Sequence, residues 1–295
     1  MGPWESPRGL AERLLADLHG LSEAPAAPRE PDAPDAPPEP PASATPTAPP
    51  DNRVGLALLA GFLALGAVLH LAAPARTPAT FAFVVAGWLL AVMAHEFAHA
   101  LVAYLGGDRT VRAKGYLAFD PRRYADLGTS LVLPMLALAL GGIGFPGGAV
   151  WVRTDLMRNR AWRSASALAG PAATLVVLLA LALVLALWSR MAPPDMLFSA
   201  LAMLAFLQAM ALVLNLLPIP GLDGFNVLRP FLPRRWTAGL RRFEGLSMLV
   251  LLGLLFFVPG VSEGLFKVAA GLATTLGVPR AAIGDGWADF HFWQG

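Results

Sequence analysis

The sequence has no cysteine and little charge. Of its 295 residues, 14% are Asp, Glu, Lys or Arg, whereas a soluble domain usually contains about 25% charged residues. The lack of cysteine excludes disulfides and thiolate ligands, so a metal site in this chain must use His, Asp or Glu. The formal net charge of only +2 gives no indication of nucleic-acid binding.

Hydrophobic residues dominate instead. They make up 56% of the chain, and the mean hydropathy is +0.58. They are concentrated in runs that approach or reach the length of about 20 residues needed to cross a bilayer. We therefore expect an all-α, polytopic integral membrane protein. The runs cover residues 54–73, 80–105, 129–144, 165–188, 196–217, 246–258 and 261–276.

This pattern divides the chain into three segments. Residues 1–52 form a Pro/Ala-rich tail that we expect to be disordered, apart from a short amphipathic helix. Residues 53–258 form the membrane-embedded domain, with about six transmembrane helices counted over the whole chain. Residues 259–295 form a C-terminal interfacial helix and tail. An aromatic cluster typical of the membrane interface lies in that tail: Trp287, Phe290, Phe292 and Trp293.

The distribution of basic residues predicts the orientation, because Lys and Arg are in excess on the cytoplasmic side of a membrane. Segments 106–128, 151–164 and 221–244 carry five, four and five Lys or Arg residues. Segments 74–79 and 189–195 carry one each. We expect a multi-pass protein of a bacterial cytoplasmic membrane, with the first three segments and the N-terminus in the cytoplasm.

The run 129–144 lies between two of these basic segments. Since both of its ends are expected in the cytoplasm, we predict a re-entrant loop or hairpin over residues 129–150. Irregular backbone at membrane depth is tolerated only against protein or a water-filled cavity, so this loop should line the active site. The alternative is an ordinary transmembrane helix. Residues 146–152 could form an edge strand that pairs with an unwound substrate, or a simple tight turn.

The motif His95-Glu96-Phe97-Ala98-His99 lies within an otherwise uncharged run. On a helix, residues four apart face the same side, so His95 and His99 could bind one metal ion. A charged residue at membrane depth is costly and usually has a function. Glu96 adjoins a ligand and suits the role of general base. A purely structural role for all three side chains is the less favoured alternative.

A catalytic zinc site commonly has three protein ligands and a water molecule. His19, His70 and His291 are candidates for the third ligand by residue type. Asp223 is better placed, because it lies at the expected cytoplasmic end of its run, at a depth similar to that of the motif. Asp-Gly is also a common turn pair, so Asp223-Gly224 could simply end a helix. Position alone leaves both interpretations of Asp223 open.

Two further stretches carry a family resemblance. Together with the His-Glu motif, the stretch from Asn215 to Gly224, with its two prolines and Leu-Asp-Gly, resembles the site-2 protease family of intramembrane zinc metalloproteases. Ala169-Gly170-Pro171 is also similar to that family. The likeness covers about residues 54–245, and we expect neither a PDZ-like insert nor an appended nucleotide-sensing (CBS) domain.

The resemblance implies particular roles for five residues. His95, His99 and Asp223 would be the zinc ligands, and Glu96 the catalytic base. Asn215 would hold the substrate backbone or the developing oxyanion, for which a side-chain amide is suitable. An interhelical hydrogen bond is the alternative role for Asn215.

We therefore expect an intramembrane zinc endopeptidase with one Zn²⁺ per chain. It would act on transmembrane protein substrates in the lipid bilayer and would cleave in or near their membrane segments, with no nucleic-acid partner. The alternative is a catalytically silent membrane scaffold or a metal-binding membrane protein. Transport is disfavoured because the other runs carry almost no polar residues for a path through the membrane.

Overall fold

The protein is helical throughout the part that the structure describes. This computed structural model describes residues 52–71, 78–123, 150–233, 237, 239–240 and 243–294, and it has no strand among them. The predicted all-α class is confirmed for these residues. The helices are α1 Arg53–Leu71, α2 Pro78–Gly106, α3 Thr110–Ala113, α4 Arg160–Met191, α5 Met196–Asn215, α6 Asp223–Leu228, α7 Glu244–Phe257, α8 Pro259–Thr275 and α9 Arg280–Phe290.

Four of these helices are long and apolar enough to cross a membrane. They are α1, α2, α4 and α5, and each matches one of the predicted runs. The helices α7 and α8 meet at a bend of 92° and together make at most one more span. With 14 and 17 residues, they are about 21 and 25 Å long, shorter than a hydrocarbon core of about 30 Å. The described residues thus contain four or five candidate spans, and a total of six stays a prediction.

Helix α5 lies at the centre of the described helices. Of its apolar window 89% is buried inside the protein, compared with 17% for α1. The helices α2, α4, α8 and α9 pack around it. The polar side chains of α5 are therefore enclosed by protein rather than by lipid.

The C-terminal helix α9 packs directly on α5. Gly286 permits this contact, because a Cβ atom there would overlap the backbone carbonyl oxygen of Ser199. Within the predicted interfacial cluster, Phe290 is fully buried, with its ring centroid 5.0 Å from that of Phe81, whereas Trp293 is 45% exposed. The interfacial location of this segment stays a prediction. Aromatic residues in a short C-terminal segment do not distinguish a membrane interface from a packing surface.

Two predictions fall largely outside the described residues. These are the disordered tail 1–52, of which only Asn52 is described, and the re-entrant segment 129–150, of which only Val150 is described. Both stay predictions. The described end of the proposed strand 146–152 has no regular secondary structure.

Candidate metal centre

Helix α2 brings the two histidines of the motif together on one side. The Nε2 atoms of His95 and His99 lie 3.0 Å apart, and both residues are buried. The carboxylate oxygen Oδ2 of Asp223 lies 3.1 Å from Nε2 of His95 and 3.4 Å from Nε2 of His99. Among the described residues, these three side chains form the one group of three or more that could hold a metal ion.

Asp223 reaches this position because the chain folds back after α5. The turn that follows α5 places Gly221 at φ +99°, and α6 then begins at Asp223. Gly224 has no Cβ, and one would lie only 2.5 Å from the carbonyl carbon of Leu216. The alternative interpretation of Asp223-Gly224 as a helix-ending turn is therefore wrong. The pair starts a short helix, and position 224 requires a glycine because its backbone lies close to that of Leu216.

Helix α4 supplies the outer partners of the two imidazoles. His99 Nδ1 donates to the backbone carbonyl of Ser166 at 2.7 Å, and His95 Nδ1 lies 2.9 Å from Thr174 Oγ1. A carbonyl can only accept, so Nδ1 of His99 carries a proton, and Nε2 is the nitrogen left to bind a metal. The contact to Thr174 permits the same tautomer for His95. Partners of this kind commonly orient metal-ligating histidines.

The residues present fit a metal ion. Two imidazole nitrogens and one carboxylate oxygen lie within 3.4 Å of one another, and they are a set of ligands that zinc commonly takes in proteins. Tetrahedral zinc with Zn–N bonds of about 2.0–2.1 Å needs its nitrogen ligands about 3.3 Å apart. Gly170 keeps the space open, because a Cβ there would lie 2.5 Å from His95 Nε2 and would also overlap the ring of His99.

The Asp223 carboxyl lies in α6, outside the four candidate spans. Burial raises its pKa, but the interactions with His99 and His95 lower it by more, so that the pKa lies below its ordinary value. Asp223 is therefore an anionic partner for the two imidazoles.

Glu96 lies beside the metal-binding group and is buried. Its Oε2 accepts a hydrogen bond from the backbone N–H of Val150 at 3.1 Å. A small pocket adjoins Glu96, and Asn215, the last residue of α5, also lines it. The full lining is Trp88, Ala91, Val92, His95, Glu96, Thr174, Gln208, Ala211 and Asn215.

The segment that carries Val150 is held by further bonds to its backbone. Lys114 Nζ donates to the carbonyl of Trp151 at 3.1 Å, and the N–H of Arg153 donates to Asp108 Oδ2 at 2.7 Å. Burial lowers the pKa of Lys114. An irregular segment is thus fixed next to Glu96 without any strand partner among the described residues.

The other candidate ligands by residue type lie elsewhere. His70 pairs with Asp195 at 2.6 Å, and His291 Nδ1 bonds the carbonyl of Trp287 at 3.0 Å. Neither joins the His95 group, and His19 lies outside the described residues.

Sequence reasoning missed Ser166, Thr174 and Gln208, and it gave no role to Gly170, which it included only in the family resemblance. Ser166, Gly170 and Thr174 follow one another at intervals of four residues, which places them on one stripe of α4. The sequence signal that could have identified them is the presence of small and polar residues at that spacing in an apolar helix. Gln208 lies seven residues before Asn215, on the same face of α5.

Apolar helices of membrane-spanning length, together with a His-His-Asp group whose two histidines are buried, define the class of this molecule: a membrane protein with a candidate metal centre. No family model matches the sequence, and no solved structure matches it significantly. The comparison with curated proteins, however, gives clear relatives.

Two of these relatives are mycobacterial. The chain is 40% identical over 245 residues to the protein named "Putative zinc metalloprotease Rip2" of Mycolicibacterium smegmatis, covering 81% of this chain and 93% of that protein. It is 41% identical over 244 residues to its namesake in Mycobacterium tuberculosis, covering 80% and 92%. A third relative, "Putative zinc metalloprotease YwhC" of Bacillus subtilis, is 29% identical over 181 residues, covering 56% and 75%.

The chain therefore belongs to the site-2 protease family of zinc metalloproteases. The relatives named here are bacterial, and four helices of this chain are long and apolar enough to cross a membrane.

Proposed function

We propose that this protein is an intramembrane zinc endopeptidase that hydrolyses peptide bonds in or near the transmembrane segments of other membrane proteins. The observation that carries the proposal is the convergence of His95, His99 and Asp223 beside the buried Glu96. The names of the relatives support protease chemistry. The position of the motif within an apolar helix of 29 residues supports action at membrane depth.

Each residue of the site has a role in this proposal. His95, His99 and Asp223 hold one zinc ion, which when bound polarises the scissile carbonyl and lowers the pKa of water. Glu96 accepts a proton from the attacking water and passes it to the nitrogen of the leaving amine. The hydrogen bond from the Val150 N–H holds one oxygen of Glu96 in place for this transfer.

Asn215 supplies a side-chain amide at the edge of the same pocket. In the proposed reaction it donates to the substrate backbone or to the oxyanion that develops on the attacked carbonyl. Enclosure by protein suits this role, because an amide away from water interacts more strongly with a developing charge.

The direct test replaces the proposed base. Glu96→Gln keeps the size of the side chain but removes its capacity to take a proton, so the variant should bind zinc and lose cleavage by a factor of at least about 10². The measurement is the appearance of fragments from a tagged membrane-protein reporter in detergent or vesicles. Full activity in the variant would contradict the mechanism, and zinc binding with no cleavage by the wild type would favour the silent metal-binding alternative.

A further inference from the structure

One buried polar group beside the site has no assigned role. Gln208 is 2% exposed, and its Nε2 finds no hydrogen-bond partner among the described residues. It lines the same pocket as Glu96 and Asn215. Helix α5 is otherwise apolar apart from Ser199 and Asn215. A buried amide without a partner destabilises a protein, so its presence here calls for a ligand.

The space in front of Gln208 is created by small side chains. Ala211 lies between Gln208 and Asn215 on the same face of α5, and Ala91 of α2 also lines the pocket. The pocket therefore connects the amide of Gln208 with the carboxylate of Glu96. Any group that binds there lies beside a buried amide that can donate a hydrogen bond.

An unwound membrane peptide contains hydrogen-bond acceptors that lack a donor. When a transmembrane helix opens, its backbone carbonyl oxygens lose their N–H partners and find no water at membrane depth. A buried amide donor and an unpaired carbonyl oxygen would satisfy each other.

The spacing along α5 indicates which part of the peptide would be reached. Seven helical residues separate Gln208 from Asn215, which corresponds to about 10 Å. An extended peptide advances about 3.3 Å per residue. Gln208 thus lies within reach of an oxygen about three residues from the bond that Asn215 and Glu96 would act on.

We propose that Gln208 is a substrate-binding residue whose side-chain amide donates a hydrogen bond to an acceptor oxygen of the bound peptide. The proposal rests on the protease function proposed above. It assigns the pocket as a subsite for a carbonyl or hydroxyl oxygen, from either the backbone or a side chain of the substrate.

The test is the variant Gln208→Met, which keeps the length of the side chain and removes the donor. The matched control is Leu207→Met at the neighbouring, fully buried position, which is absent from the described lining of the pocket. The probes are tagged Leu/Ala transmembrane reporters that differ in one central residue: Ala, Ser or Asn. Cleavage kinetics, zinc content and thermal midpoint are measured for wild type and both variants.

We expect Gln208→Met to raise KM about tenfold with little change in kcat, because the bond contributes to binding away from the reacting atoms. A loss on every reporter would identify a backbone oxygen as the acceptor, and a loss on the Ser or Asn reporters alone would identify a side-chain oxygen. Zinc content should be unchanged. The thermal midpoint should be equal or higher, since the variant removes an unpartnered amide.

Unchanged KM on all three reporters, or a lowered thermal midpoint with unchanged kinetics, would overturn the proposal and leave Gln208 with a structural or water-binding role. Equal cleavage by wild type and Glu96→Gln, or none by either, would instead contradict the protease function itself. The two failures are therefore distinguishable.

Discussion

At the scale of single residues, Gly170 leaves a gap between the two imidazoles, because its side chain is only a hydrogen atom. A methyl group there would overlap both rings, which are held in place by bonds to Ser166 and Thr174. The rings must turn away before the backbone of α4 can accept the extra atom. The effect of a substitution should therefore fall on metal binding more than on folding.

We accordingly predict that Gly170→Ala lowers zinc affinity about tenfold or more, the size of effect seen when the orientation of ligands is disturbed. The measurement is zinc content after dialysis against a graded chelator. Gly61→Ala is the control, because a Cβ at Gly61 in α1 meets nothing within 4 Å. Wild-type zinc binding by Gly170→Ala would contradict the account of this glycine.

The residues of the site differ in how far the sequence predicts them. His95 and His99 are four apart on one helix, so local geometry is enough to place their side chains together. Asp223 lies 128 residues from His95; its position made it a candidate, and the family resemblance was needed to favour it as a ligand. The roles of Gly170 and Ser166 could not be predicted, because they depend on which stripe of α4 faces α2.

At the scale of elements, the contact between α9 and α5 depends on a glycine. Gly286 lies against the backbone carbonyl of Ser199, and backbone cannot move aside as a flexible side chain can. The C-terminal helix therefore supports the helix that carries Gln208 and Asn215.

We predict that Gly286→Ala destabilises the protein by about 1–3 kcal/mol, as overpacking usually does. Gly284→Ala on the same helix has open space for its Cβ and should be neutral or stabilising by up to about 1 kcal/mol. Thermal unfolding in detergent measures both. Equal midpoints for the two variants would show that α9 does not pack on α5 as described.

The sequence predicts single helices better than their arrangement. Uniform apolar runs of about 20 residues mark α1, α2, α4 and α5, because length and hydropathy are local properties. The bend of 92° between α7 and α8 follows from packing and from Pro259 at the start of α8. Neither the bend nor Pro259 shows whether α7 and α8 cross a membrane separately or together.

At the scale of the whole molecule, the lack of cysteine makes the predicted orientation easy to test, since any introduced cysteine is unique. Met191 at the end of α4 and Arg112 in α3 are both exposed. We predict that a membrane-impermeant maleimide labels Met191→Cys in intact cells and Arg112→Cys only after lysis. The control is the wild type, which has no cysteine and should not be labelled. The reverse pattern of labelling would place the metal centre in the opposite half of the membrane.

The central claim is that His95, His99 and Asp223 together hold one zinc ion while Glu96 does not. The most direct measurement is the zinc content of purified wild type, Glu96→Gln and Asp223→Ala. Loss of one ligand from a three-ligand site should weaken binding strongly, whereas loss of an adjacent base should not. We predict about one zinc ion per chain in wild type and Glu96→Gln, and far less in Asp223→Ala. Equal zinc content in all three proteins, or none in the wild type, would contradict the claim.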